Sequence, residues 1–269
     1  MVTMVDSNAA LLSEIEAAVL DENVPITVVL RKCLVLGGRA NSEALREWAS
    51  KELTGYSHDD ELPDYRVLRS PLVVDGFAGA LQVTRHRISP LHLPEKAQEH
   101  ISEKVEIFDG ISKIQDMADQ AKAGDGFASL APQGSAELAV VMSHERKTGL
   151  SRVEEIYWTV SSVDLHAIVD RVRTMCTELV AEVRGSQRND RAEPKPKEVQ
   201  QAVTMIFNGR ARVGNVVTNQ AANSSRAVIK RSSKDNDSPF WTRARKIGAA
   251  VVGIATILGT VAGWLALHH

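Results

Sequence analysis

The chain has 269 residues, 43% of them apolar and 25% charged, with a formal net charge of −2. That balance excludes a disordered or collagen-like polypeptide and fits one large folded domain or two smaller ones. The charge is unevenly spread, because residues 1–190 sum to −10 and residues 191–246 to +8, an acidic body followed by a basic segment.

In chain order, Leu11, Leu12, Ile15, Ala18 and Val19 mark the apolar face of a first helix, ended by Asp21-Glu22-Asn23. Pro25 opens a second, Ile26 to Leu36, apolar nearly all round and closed by Gly37-Gly38. Asn41 and Ser42 are caps for a third helix whose apolar face is Leu45, Trp48, Ala49 and Leu53, with Gly55 as its stop. The short connections make these three helices neighbours.

Tyr65–Leu68, Leu72–Val74 and Leu81–Ile88 read as strands, with Asp75-Gly76 and Gly79 as turn material. Pro94 opens a helical stretch carrying Ala97, Ile101 and Val105, and another helix holds Ile111, Ile114, Met117 and Ala118. Ala123 to Gly134 reads as a loop, Ala136–Val141 as helix and Glu155–Val160 as a strand.

The clearest helix of the body carries Leu165, Ile168, Val169, Val172, Met175, Cys176, Leu179 and Val183 at helical spacing. Ser161 or Ser162 caps it, Gly185 ends it, and its stripe is expected in the core. Cys33 and Cys176 both lie in apolar helical patterns and read as core packing rather than as a disulfide or metal pair.

Residues 186–198 are a polar, Pro-containing linker. After it Val203–Phe207 reads as a strand, Asn208-Gly209 as a hairpin turn and Ala211–Thr218 as the return arm. Residues 221–246 read as a basic juxtamembrane tether.

The run from Ile247 to Leu267 has no charged, Asn or Gln residue over 21 positions. A helix of that length spans about 30 Å, the hydrocarbon thickness of a bilayer. Arg243, Arg245 and Lys246 precede it, and Trp241 and Trp264 are placed for the two interfaces. A single-pass helix in the bacterial cell membrane, with the body on the cytoplasmic side, is the expectation. Ala255, Gly259 and Gly263 recur every four residues, and Ala249 with Gly253 forms a second small-residue pair. Small residues let helix backbones approach closely in lipid, so self-association is expected. The partners are then the bilayer and further copies of the chain. The basic segment serves topology and lipid contact, and nucleic acid is not an expected partner.

No motif for a nucleotide, a zinc site or a nucleophile elbow is present, so no cofactor, metal or catalytic residue is expected. His58-Asp59-Asp60-Glu61 reads as a solvated turn, with a divalent-cation site as the alternative. Arg85-His86-Arg87 reads as a charged strand edge rather than a phosphate contact, and Asp170 with Arg173 as a surface pair.

The first third of the chain carries Val19-Leu20-Asp21-Glu22-Asn23, then Leu30-Arg31-Lys32-Cys33-Leu34-Val35-Leu36 and Leu45-Arg46-Glu47-Trp48. Lys51-Glu52-Leu53-Thr54-Gly55-Tyr56 and Leu62-Pro63-Asp64-Tyr65-Arg66 follow. This order resembles the AbiTii domain of bacterial abortive-infection proteins. The resemblance runs over residues 8–185 and is densest up to residue 70, and the later Met205–Val216 stretch looks like a strand-turn module found after such domains.

The resemblance implies a sensor or adaptor in defence against phage, fused to varied effectors, and supplies no catalytic residue. The expected fold class is α+β: an N-terminal helical bundle packed with a small sheet, a long helix closing the body (1–185), a β-hairpin module (199–220) and a C-terminal transmembrane helix (247–267). The expected function is a membrane-anchored defence protein whose body binds a phage or host partner and whose clustered membrane helices act as effector. The alternatives are a tethered adaptor with no activity of its own and a nuclease using His58, Asp59 and Glu61.

Overall fold

The computed structural model describes residues 8–186 and 194–208. The fold class is α+β, built around two hydrophobic cores. Helices α1 (Asn8–Leu20), α2 (Ile26–Arg39) and α3 (Glu43–Thr54) follow one another through short turns. They pack with α5 (Ile111–Ala123) and with the 25-residue α7 (Ser162–Ser186). Their inward faces, among them Leu12, Ile15, Leu30, Leu45, Ile114, Leu165 and Val172, form the larger core.

The second core lies under a four-stranded antiparallel sheet of order β3-β2-β6-β5, made from β2 (Leu72–Ala78), β3 (Leu81–Ile88), β5 (Phe127–Leu130) and β6 (Arg152–Ser161). Helix α6 (Ser135–Glu145) and the segment 88–101, with its single helical turn α4 (Glu95–Gln98), cover one face through Leu93, Ala97, Ala139 and Met142. A two-stranded sheet, β1 (Val67–Arg69) with β4 (Lys104–Glu106), bridges the two halves.

Helix α7 is buried along nine apolar positions from Leu165 to Val183, as its spacing predicts, so its stripe is core. The amide of Asp164 donates to the Ser161 hydroxyl, which donates back to the Asp164 carboxylate, closing the helix start reciprocally. Cys33 of α2 and Cys176 of α7 are free and fully buried. A hydrogen bond with Cys33, then burial, pushes the Cys176 thiol well above its ordinary value, so the pair packs as small inert apolar groups.

Several expectations are corrected. Gly37-Gly38 does not close α2, which runs on to Arg39. Gly37 is a crossing point, since a Cβ there would lie 2.9 Å from Arg46 Cγ of α3. Asp75-Gly76 is not a turn but lies inside β2, opposite a bulge in β3 where Thr84 and Arg85 face the single residue Asp75. The stretch from Pro94 is helical only to Gln98, and Val105 sits in β4. The expected loop 123–134 contains β5, recruited by pairing with β6, a long-range contact that local composition does not encode.

Val203–Phe207 is not a strand. It belongs to α8 (Pro196–Asn208), so the linker ends before Pro196 rather than at residue 198. Val199, Ala202 and Val203 share one face at helical spacing and are buried against α7, and that face selects the helix over the strand that β-branched residues favour locally. The remainder of the expected hairpin from Gly209, the basic tether and the apolar run 247–267 lie outside the described residues. Among the described residues no helix is long and apolar enough to cross a membrane.

Candidate functional site

Five motif residues of the first third, Trp48, Glu52, Tyr56, Tyr65 and Arg66, converge on one buried charge cluster. Glu52 of α3 and Arg66, in the helical turn Asp64–Arg66 before β1, are both fully buried and paired at 2.5 Å through Arg66 Nη2 and Glu52 Oε2. The other oxygen of Glu52 accepts from the Tyr56 hydroxyl at 2.7 Å and the Tyr65 hydroxyl at 2.6 Å. Trp48 Nε1 donates to Tyr65 Oη at 3.2 Å.

Arg66 Nη1 donates to the carbonyls of Ile107 at 3.2 Å and Asp109 at 2.5 Å, and its guanidinium lies 4.8 Å from the centre of the Tyr56 ring. Its Nε has no hydrogen-bond partner among the described residues. The local sequence explains the convergence. Trp48, Glu52 and Tyr56 recur every four positions and so stack along one face as α3 ends. Pro63 sets the extended approach into the turn that delivers Tyr65 and Arg66.

This cluster is a clamp rather than a reaction centre. The carboxylate of Glu52 holds three donors and is sealed from solvent, so a substrate cannot reach it while the cluster is closed. It fastens α3 to the segment 107–110 that leads into α5.

Burial, and then the negative charge of Glu52, push both the Tyr56 and Tyr65 hydroxyls far above the ordinary tyrosine value of 10.0. Both tyrosines therefore stay neutral in the fold at pH values where the unfolded chain ionises. Their contribution is complete below about pH 10 and is lost as pH rises, at about 1.4 kcal/mol per pH unit for each. Urea unfolding at pH 9, 10 and 11 should show a steep alkaline loss of stability. That loss should be shallower in Tyr65→Phe; an equal slope in the two proteins would contradict the assignment.

Asp60 accepts from the Ser57 amide at 2.7 Å and pairs with Lys51 at 2.9 Å. Burial works against its ionisation, but the Lys51 and Ser57 bonds outweigh it and hold the carboxyl below its usual range. The His58 ring packs on Phe108 at 4.4 Å between centroids, so the acidic turn is split between two directions. No group of three metal-ligating side chains forms among the described residues.

Arg85 and Arg87 lie on the sheet's edge strand, paired with Asp125 and Glu103 respectively. Arg173 is not in a surface pair with Asp170. It donates to the carbonyls of Val19, Asp21 and Val24, where α1 ends, which satisfies acceptors a helix terminus leaves open. Ala249, Gly253, Ala255, Gly259 and Gly263, expected to pack a membrane helix, and Trp241, Arg243, Arg245, Lys246 and Trp264, expected at its ends, are all outside the described residues.

Sequence inspection found the motif strings but not the partner carbonyls of Arg66. The available signal was composition: a run of Trp, Glu, Tyr, Tyr and Arg, all able to hydrogen-bond, within a segment otherwise patterned for burial.

No curated protein and no solved structure matches the chain. The AbiTii family model matches residues 10–207, from α1 through α8 and including every member of the buried cluster. The chain belongs to the AbiTii family.

Proposed function

We propose that the chain is a membrane-anchored abortive-infection protein: the body receives a signal of phage infection, and the C-terminal apolar helices, brought together by oligomerisation, damage the membrane. The observation that carries the reading is the joining of an AbiTii domain over residues 10–207 to an uncharged 21-residue run with a Gly and Ala stripe. Family membership supports abortive infection, and the apolar run supplies a candidate effector. The body is read as non-enzymatic, with the sealed state of the Glu52–Arg66 cluster in support. One helix per chain cannot enclose a pore, so the reading requires several copies.

The test is a phage challenge of cells carrying the wild-type chain or Gly259→Leu/Gly263→Leu. Leucine blocks close backbone approach while keeping the helix apolar, so the variant should stay in the membrane fraction and lose protection. Undiminished protection would count against the effector reading. If an unrelated Leu-rich span in place of 247–267 preserved protection, the run would be a tether and the protein an adaptor for another effector.

A further inference from the structure

We infer that the seam between the two sheets is a binding site for a small soluble phosphate-bearing molecule. A surface cleft of about 400 Å3 lies where β1 hands over to β2, lined by Arg69, Ser70, Pro71, Arg87, Ser102, Glu103 and Lys104. That volume is within the range that accommodates small ligands.

Three cations and one carboxylate meet there, in a body whose first 190 residues sum to −10. Arg87 is engaged by Glu103 at 2.9 Å. Arg69 and Lys104 have no ion-pair partner among the described residues, and they are directly opposite one another in the β1–β4 ladder. Like charges at facing ladder positions repel and destabilise a sheet. An anion held between them converts that repulsion into two charge-assisted contacts.

The walls of the cleft are fixed in advance. Ser70 is buried, its hydroxyl donates to the Thr159 carbonyl at 2.8 Å, and its amide donates to the Glu103 carbonyl at 2.9 Å. Trp158 Nε1 donates to the Ser102 carbonyl at 2.7 Å. The cations thus project from backbone tied to β6, and little ordering remains to be done when a ligand arrives.

A guanidinium, an ammonium and the Ser102 hydroxyl match the oxygens of a phosphate ester or diphosphate, with Arg87 at the rim. The acidic body around so small a cationic patch disfavours a long polyanion, so the site takes a small molecule rather than a nucleic-acid strand. The inference does not depend on what the C-terminal run does.

The experiment uses the full chain purified in a neutral detergent, with inorganic pyrophosphate as the probe at constant ionic strength, followed by calorimetry and by thermal melting. Saturable binding and a raised melting temperature are expected for the wild type. Arg69→Gln/Lys104→Gln should weaken binding at least tenfold and abolish the thermal shift. Lys122→Gln, an exposed cation elsewhere, should change neither.

The double variant relieves the like-charge pair, so without ligand it should melt at or above the wild-type temperature, which separates lost binding from a lost fold. No saturable binding, or equal binding by the double variant, would overturn the inference. So would binding seen only when the micelles are doped with phosphatidylglycerol, which would assign the cations to a lipid head group. Binding of a single-stranded oligonucleotide in preference to pyrophosphate would overturn it as well.

Discussion

Glu52→Leu should cost about 3–5 kcal/mol of stability, the range for removing one partner of a buried ion pair. The deletion leaves the Arg66 guanidinium charged in a fully buried site and strands the Tyr56 and Tyr65 hydroxyls, both of which point at the lost carboxylate. Glu52→Gln distinguishes the two parts of that loss. Its side-chain oxygen can still accept from the tyrosines, while the negative charge opposite Arg66 is gone, so it should fall between wild type and Glu52→Leu.

Arg66→Met should also be costly, because the carbonyls of Ile107 and Asp109 lose their donor. In a double-mutant cycle, Glu52→Gln with Arg66→Met should be less damaging than the sum of the two by more than about 1 kcal/mol, since the pair is in direct contact. Chemical denaturation measures all of these. A loss under about 1 kcal/mol for Glu52→Leu would mean that the cluster does not hold the fold.

The second large effect is expected one turn along the same motif. Gly55 ends α3 at φ +98°, and a Cβ there would sit 2.7 Å from the Phe108 carbonyl oxygen. The approach is close because Gly55 bridges Asp109 and the Tyr56 amide donates to that same Phe108 carbonyl at 2.7 Å. Gly55→Ala therefore combines a disfavoured backbone region with a collision against main chain, which cannot swing aside as a side chain can.

The expected cost is about 2–4 kcal/mol. Gly79→Ala is the matched control: Gly79 has φ +65° but open space around its missing Cβ, so it should lose only about 1 kcal/mol. Equal losses at the two positions would remove the steric part of the account.

Both effects arise at residues that the family resemblance had already picked out as a string, from Trp48 through Arg66. The string was legible because it lies within one stretch of chain. What it does was not legible, because the carbonyls that Arg66 meets come from Ile107 and Asp109, about forty positions later. The cationic cleft was hidden for the same reason. Arg69 and Lys104 are unremarkable in sequence and become a pair only when β1 finds β4. Arg173 is a further case: its helical neighbour Asp170 suggested a local pair, but the carbonyl oxygens at the end of α1 are better placed acceptors.

Sequence by itself determined the α+β class, the three-helix start, the buried stripe of α7 and the division between an acidic body and a basic segment. Each of these follows from periodicity or composition within a short window, where burial demands one repeat and admits few others. Tertiary structure decided that 203–207 is helical, that 127–130 is a strand, and which charged side chains are sealed or paired across the sheets. Those outcomes depend on surfaces that meet from distant parts of the chain. A short apolar segment satisfies its backbone equally well as helix or strand, and an ion pair acquires its energy only once a particular partner has excluded the water.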